Sequence, residues 1–376
     1  MTLIIVFAVF SVGCCLLFVY PYAIYPVLLR RFVRTRPVNA APVELRISLL
    51  FCAYNEAEAL RDKIANLRQL KAIWPELEVL AYDDGSNDGT SELLADAGDL
   101  ITVVQGVGRT GKAAGMKRLA AMASGDILAF TDANVIVAPD AIGKLLPYYA
   151  DPEVGGVCGT LCYSSDETSA TAEIGSLYWR LDEQLRSLES ATGAVMGADG
   201  SIFSVRKSLY PAFPDTVLDD FTVSMSVIFA GKRLIKAPDV IAYEKSVTRR
   251  DEEIRRKIRI GARAYHTHLH LRPQLRQMSA LNRFKYMSRK LLRWFGGLFL
   301  ALGALFAMIA IGMASTVALV ACTTAGAMLL SISLRSRSGV FAKLGEILTA
   351  TFATLIGVVQ GMRGHTVATW SPAKSR

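Results

Sequence analysis

Three short apolar runs, ISLLF at 47–51, EVLAY at 78–82 and DILAF at 126–130, each stop at a polar cluster: AYNEAE, DDGSND and TDAN. Each run is too short to cross a bilayer. Each also carries apolar residues on both faces rather than alternating, as a strand does when a parallel sheet buries both its sides. The pattern predicts strands over 47–52, 78–82, 100–104 and 126–130, with helices over 56–70, 90–97 and 111–123 between them. Such alternation specifies a doubly wound α/β sheet. In that architecture the ligand lies beyond the carboxyl ends of the strands, so Asn55, Glu56, Asp83, Asp84, Asp132 and Asn134 are expected to share one crevice.

The two ends of the chain obey a different rule. Hydrophobic residues make up 52% of the 376, and the excess is concentrated at the termini. Residues 2–20 are almost wholly apolar, continue through PYAIYPVLL and stop at RRFVRTR. A signal peptide would carry its charges before the apolar run. Here they follow it, so the segment reads as a retained anchor long enough for about 30 Å of hydrocarbon. Segments 295–313 and 315–333 each match one membrane thickness, and 345–362 is shorter or tilted. The expected topology is four spans with both termini outside. Basic clusters at 30–36, 249–263 and 283–293, together with Arg335, Arg337 and Lys343, then fall on the cytoplasmic side. The formal charge of +9 sits largely beside these apolar runs. That placement suits anionic headgroups and excludes nucleic acid as the partner. Six cysteines without a C-x-x-C read as reduced thiols.

The expected organisation is therefore an anchor (1–29), a basic linker (30–44) marked by Pro37 and Pro42, and a cytoplasmic α/β domain (45–250). Interfacial helices (251–294), three spans (295–362) and a tail (363–376) complete it. Within the α/β domain, 45–134 holds the three strand ends and 135–250 the remainder. The second part contains a long amphipathic helix over 173–189, a strand over 201–205, a helix over 217–229 and a strand within GKRLIKAPDVIAYE. A basic amphipathic helix over 251–265 suits a membrane surface.

Several carboxylates brought to one crevice need a cation or hydrogen-bond donors to stay ionised. A hard divalent ion shared between a carboxylate and substrate phosphates meets that need. GVGRTGK at 106–112 fits two glycine templates, the dinucleotide fingerprint and the P-loop. It follows the third strand rather than the first, and position 113 is Ala where a P-loop has a hydroxyl. What remains is Arg109 and Lys112 at a helix start, able to neutralise a diphosphate. VLDDF at 217–221 opens a helix with two carboxylates, favourable to its dipole. If that helix points into the crevice, Asp219 or Asp220 can act as a general base, its pKa raised by desolvation. His266, His268 and His270 lack a completing carboxylate and read as helix surface at headgroup level.

On these residues the chain resembles the membrane-anchored, inverting family 2 glycosyltransferases that build bacterial polysaccharides. AYNEAE at 53–58 resembles the family's first strand-end motif, with Cys52 in place of a proline. DDGSND at 83–88 is similar to its nucleotide-contacting motif, and GRTGKAAGMK at 108–117 to its Gly-Lys segment. TDAN at 131–134 stands where the family has D-x-D. GADGSIFSVRK at 197–207 resembles the acceptor-side loop, and LDDF its general-base motif.

The resemblance implies a GT-A (Rossmann-like) mixed sheet, with 45–134 as its donor half and 135–250 as its acceptor half, and transfer of a sugar, UDP being the expected nucleotide, to a lipid-linked or polymeric acceptor. It implies donor binding by Ala53, Tyr54, Asn55, Glu56, Asp83, Asp84, Arg109, Lys112, Asp132, Ala133 and Asn134. Mg2+ or Mn2+ would sit at Asp132 and Asn134, the latter offering an oxygen without charge. Gly197, Ala198, Asp199, Gly200 and Arg259 would form the acceptor side, and Asp220, with Asp219 second, would be the base. Arg259 is included because RKIRI at 256–260 is taken as the counterpart of the Q-x-x-R-W of long-chain synthases. A non-catalytic nucleotide-sugar-binding membrane component and a membrane-tethered P-loop nucleotidase are the alternatives.

Overall fold

The computed structural model of the chain describes residues 1–34, 43–164, 170–336, 338–366 and 369. Arg36, Arg337, the linker prolines Pro37 and Pro42 and the tail from 370 onward lie outside the described residues. Two helices come first, α1 (Thr2–Val19) and α2 (Ile24–Leu29). The α/β region follows as β1 (Ile47–Ala53), α3 (Ala57–Ile73), β2 (Glu78–Asp83), α4 (Thr90–Asp96), β3 (Thr102–Gln105), α5 (Lys112–Met122), β4 (Ile127–Thr131), β5 (Ile136–Val137) and α6 (Ala141–Leu145). Then come β6 (Val154–Ser164), α7 (Ala170–Ala191), β7 (Ile202–Arg206), α8 (Asp219–Phe229) and β8 (Arg233–Lys245). The remainder is helical: α9 (Arg250–Gln277), α10 (Ala280–Tyr286), a π-helical turn (Met287–Leu291), α11 (Leu292–Trp294), α12 (Gly296–Ala314), α13 (Thr316–Arg335) and α14 (Gly339–Met362).

The strands form one mixed sheet in the order β3-β2-β1-β4-β7-β6-β8-β5. β1 pairs in parallel with β2 on one side and β4 on the other, so the chain departs in both directions from β1. Crevices of α/β sheets open at such a switch point. Alternate residues of β1 enter opposite cores, Leu50 and Cys52 on the α5 face and Leu49 and Phe51 on the α3 face. This is why the run shows no polar alternation.

Through residue 131 each predicted helix and strand is present with ends within three residues. β6 was not expected, because VGGVCGTLCYS is glycine-rich and glycine disfavours strands. The packing explains the glycines. A Cβ on Gly155 would stand 2.6 Å from Leu209 Cδ1, and one on Gly156 2.8 Å from Leu234 Cδ1. The basic helix predicted over 251–265 runs on to Gln277.

Helices α1, α12, α13 and α14 are long and apolar enough to cross a membrane. α1 and α12 run antiparallel along their length: Phe18 meets Gly296, the Ser11 hydroxyl donates to Gly303 O at 2.8 Å, and the Phe10 and Phe306 rings lie 5.6 Å apart. α14 lies against α9 instead. Arg250 Nε donates to Glu346 Oε1 at 2.5 Å, and a Cβ on Gly361 would stand 2.5 Å from Ala262 O.

A buried ionic network joins α2, α7 and the segment preceding α12. Tyr25 Oη donates to Glu189 Oε1 at 2.8 Å, and Arg289 bridges Glu189 and Asp182, the latter at 2.9 Å. Arg186 and Arg293 each add a bond of 2.8 Å to Asp182. Burial alone would raise the Asp182 pKa, but Arg289, Arg186 and Arg293 hold it well below the ordinary carboxylate range.

Candidate active site

The crevice at the β1–β4 switch point is assembled by four loops. Ala53 ends β1 opposite Asp83 in the ladder. Asn55, the one non-glycine residue with positive φ (51°) among the described residues, turns the chain there. Asparagine tolerates this conformation because its short amide can bond locally. Its Oδ1 accepts from Asn87 N at 2.9 Å and its N–H donates to Ser86 Oγ at 3.0 Å, tying AYNE to DDGSND. Glu56 N donates to Thr90 Oγ1 at 2.9 Å in the same seam.

Asp83 and Asp84, expected in the crevice, lie at its base with their carboxylates engaged by the protein. Both are fully buried. Asp83 accepts from Ser86 N at 3.1 Å, from Ser86 Oγ at 2.6 Å and from the Ser91 hydroxyl. Asp84 accepts from Thr110 N at 2.7 Å and Gly111 N at 3.0 Å. The second contact bears on the glycine-rich segment. The amides at the start of α5, which a P-loop would turn toward a phosphate, are already engaged by an internal carboxylate. The nucleotidase template therefore fails on geometry as well as on Ala113. Arg109 lies over the crevice, its guanidinium 3.4 Å from the centroid of the Tyr54 ring and its Nε 3.8 Å from Asp84.

Lys112, the first residue of α5, reaches across to Asp132 beyond β4, Nζ to Oδ1 2.5 Å. Burial alone would lower its pKa. Asp132, then Asp219 and Asp220, overcome this and hold it above the ordinary lysine value, so it stays charged. The TDAN turn is clamped from behind by two residues that sequence reading passed over. Lys63 donates to Val135 O at 2.6 Å and Thr131 Oγ1 at 3.2 Å, and Asn66 exchanges bonds with Val137. Lys63 is fully buried, and burial pushes its pKa down to about 7. Its only sequence signal was a lysine on the apolar face of α3. Ala133 is buried, and Asn134 Nδ2 donates to Glu244 Oε1 at 2.9 Å.

The acceptor half closes on the same point. Gly197 has φ +87°, and a Cβ there would stand 2.9 Å from the Phe221 ring, so the loop needs glycine on both counts. Ala198 N donates to Ser224 Oγ at 2.9 Å, and Asp199 accepts from Ser201 N at 3.0 Å. A Cβ on Gly200 would be 3.2 Å from Asp220 Oδ2 and 3.2 Å from Lys112 Nζ. The candidate base and the candidate diphosphate cation thus flank one glycine. Burial, and then the Asp219 carboxylate, raise the Asp220 pKa to about 6, with Lys112 opposing. Asp219 is buried at the first position of α8.

The arginine expected at 259 lies on α9, where Arg263 is the residue that supports the base motif, donating to Val217 O at 2.7 Å. Residues 290–294, which read KLLRW, also come close to the base motif. There Lys290 Nζ stands 5.0 Å from the Phe221 ring centroid, and Trp294 is buried beside Tyr286. His268 also departs from expectation: it faces inward, Nδ1 2.9 Å from Tyr286 Oη.

Among the described residues no group of three His, Cys, Asp or Glu side chains is placed to hold a metal. Asp132, its side chain one-third exposed (33%), and the carbonyl of Asn134 are nonetheless hard oxygen donors of the kind Mg2+ and Mn2+ take. They fit an ion whose other ligands come from substrate phosphates.

Residues 48–211 match the family model for glycosyl transferase family 2; Asp219, Asp220 and 290–294 lie beyond the match. Over 206 residues the chain is 29% identical to a poly-beta-1,6-N-acetyl-D-glucosamine synthase of Staphylococcus aureus, covering 51% of this chain and 48% of that protein. It is 25% identical over 322 residues to an N-acetylglucosaminyltransferase of Rhizobium meliloti, covering 79% of this chain and 74% of that protein. The chain spans about half the length of the Staphylococcus relatives it matches. Its fold superposes on a mannosyltransferase from Pyrobaculum calidifontis, solved in complex with GDP-Man and Mn2+, with a TM-score of 0.74. Identity there is 21%, over 95% of this chain and 99% of that one. Residues 48–211 thus match glycosyl transferase family 2, and the chain shares the GT-A fold of that mannosyltransferase.

Proposed function

We propose that the chain is an inverting glycosyltransferase. It moves a sugar from a nucleotide diphosphate-sugar, with UDP as the nucleotide, to a lipid-linked or polymeric acceptor at the cytoplasmic face of the membrane, in cell-envelope or exopolysaccharide synthesis. The observation that carries this reading is the meeting of Asp220 and Lys112 at Gly200.

In a single in-line displacement the acceptor hydroxyl attacks the sugar's anomeric carbon. Its proton passes to Asp220, the bond to the diphosphate oxygen breaks, and the nucleoside diphosphate leaves. Lys112 and Arg109 offset the charge that grows on the leaving group, which is stabilisation present where the transition state needs it. Bound at Asp132 and the Asn134 carbonyl, a divalent ion would neutralise the same diphosphate. Lys63 and Asn66 hold the TDAN turn in place for that role.

The test is a panel of UDP-, GDP- and dTDP-sugars with the purified full chain, with and without Mn2+. Release of a nucleoside diphosphate that depends on the metal and is strongest with a UDP-sugar is expected. GDP preference would move the nucleotide assignment, and no release from any donor would leave a binding protein.

A further inference from the structure

Lys290 has the setting of a ligand-binding cation. It lies in the π-helical turn 287–291, an irregularity frequent at functional sites. Its ammonium would be 3.4 Å from a Cβ on Gly197, on the loop that leads to Gly200, and it faces Phe221, the neighbour of Asp220. Among the described residues it makes no ion pair, although its surroundings are rich in charge. Arg186, Arg289, Arg293 and Lys285 are packed nearby around Asp182 and Glu189, with Glu183 4.0 Å from Arg186, and Asp182 and Glu189 are engaged by the arginines and by Tyr25. Lys285 is taken up by Ala194 O at 2.7 Å. Burial, then Arg289 and Arg186, lowers the Lys290 pKa to about 7, with Asp182 and Glu189 opposing. The turn also ends five residues before Gly296, where the apolar helix α12 begins.

We propose that Lys290 receives a phosphate group of the acceptor, so that the acceptor is a phosphate-bearing membrane lipid or a sugar carried on one, rather than the neutral end of a polysaccharide. This rests on the transferase reading above. The phosphate would lie at headgroup level beside α12, while the attacking hydroxyl reaches Asp220 past the Gly197–Gly200 loop.

The test compares thermal stabilisation of the detergent-purified full chain by farnesyl phosphate, farnesol, inorganic phosphate and phosphatidylglycerol, for the parent, Lys290→Gln and Lys290→Arg. Farnesyl phosphate is expected to stabilise the parent and the arginine variant and to bind Lys290→Gln at least ten-fold more weakly, with farnesol inert. Equal effects of farnesol and farnesyl phosphate, or an unchanged glutamine variant, overturn the proposal. Inorganic phosphate acting as well as the lipid, or phosphatidylglycerol acting as well as farnesyl phosphate, overturns the lipid-acceptor assignment. Donor cleavage without acceptor, measured on the same samples, separates the two readings. If cleavage persists while the phosphate lipid is inert, this inference fails and the transferase stands. If the lipid effect holds and no donor is cleaved, the transferase reading fails.

A different observation bears on α14. Its contacts run beside α9 for several turns, from Arg250 with Glu346 to Ala262 with Gly361. Between those points α9 carries Asp251, Glu252, Glu253, Arg255, Arg256, Lys257 and Arg259. Placing that many charges at hydrocarbon depth costs about 2.5–3.5 kcal/mol each on insertion scales. α14 also meets α13 through Gly345 and Ser333, near the end of α13, and α12 through Gly296 and Gly297, at its start. On its other side, Glu346 accepts from Thr171 of α7 at 3.0 Å.

We infer that α14 lies along the membrane surface across the cytoplasmic ends of α12 and α13, leaving three spans and placing His365 on the side of the catalytic domain. His365→Cys and Asp96→Cys, each in a chain stripped of its native cysteines, are to be treated with an impermeant maleimide in intact cells and in inverted vesicles. Both are expected to react only in the vesicles. Reaction of His365→Cys only in cells, with Asp96→Cys as expected, overturns the in-plane helix. Reaction of Asp96→Cys in cells overturns instead the cytoplasmic placement on which the inference rests.

Discussion

Replacing Asp220 with asparagine is expected to slow sugar transfer by about 10²- to 10⁴-fold, the usual contribution of a positioned general base, while donor binding stays near the parent value. Asparagine keeps the shape beside Gly200 and removes only the ability to take a proton. The pH dependence gives a second readout. The pKa of Asp220 is raised to about 6, and the group works when deprotonated. The parent's kcat/KM should therefore be level above that value and fall as pH drops through it. The asparagine variant should lack this acid limb. Asp219→Asn should keep the limb but move it to lower pH, because it removes the neighbouring negative charge that helps raise Asp220. Full turnover in Asp220→Asn, or an acid limb unchanged in both variants, would remove Asp220 from the mechanism.

The second large effect concerns folding. Arg289→Met should destabilise the chain by about 3–5 kcal/mol, the range seen when one partner of a buried ion pair is deleted. The reason is what it leaves behind: Glu189 and Asp182 both lose a guanidinium inside a core where water cannot replace it. The sign with pH is fixed by Asp182. Its depressed pKa contributes stability above the unfolded carboxylate value, and the contribution is lost as pH falls through the folded value. Without Arg289 that contribution shrinks, so the gap between parent and variant should be widest near neutral pH and narrow in acid. Thermal melts of both proteins at pH 7.5 and at pH 3, below the ordinary carboxylate value of about 3.9, check this. A variant that melts with the parent at both values would mean that the network contributes nothing to stability.

The donor half was legible because its signals are local. A strand buried on both faces must be apolar at every position, and its carboxyl end must turn, so ISLLF, EVLAY and DILAF declared both the sheet and the crevice. The roles of the polar residues at those ends were less legible, because a carboxylate after a strand serves equally as a ligand or as the acceptor that holds a turn. In the fold Asp83 accepts from Ser86 and Asp84 from the α5 amides, while Asp132 faces Lys112. Nothing within a few residues of Asp83 or Asp132 distinguishes these fates. The distinction comes from which backbone donors the fold brings near.

From its own residues the sequence determined the α/β alternation, the four long apolar helices and the pair of carboxylates opening α8, since each depends on periodicity or composition within a short window. Tertiary structure alone decided that Gly200 brings Asp220 and Lys112 together, that Lys290 faces the Gly197 loop, and that α14 runs beside α9. Those three facts are contacts between residues far apart in the chain. They follow from the register of the sheet and from glycines that permit close approach, and neither leaves a periodic trace in the chain.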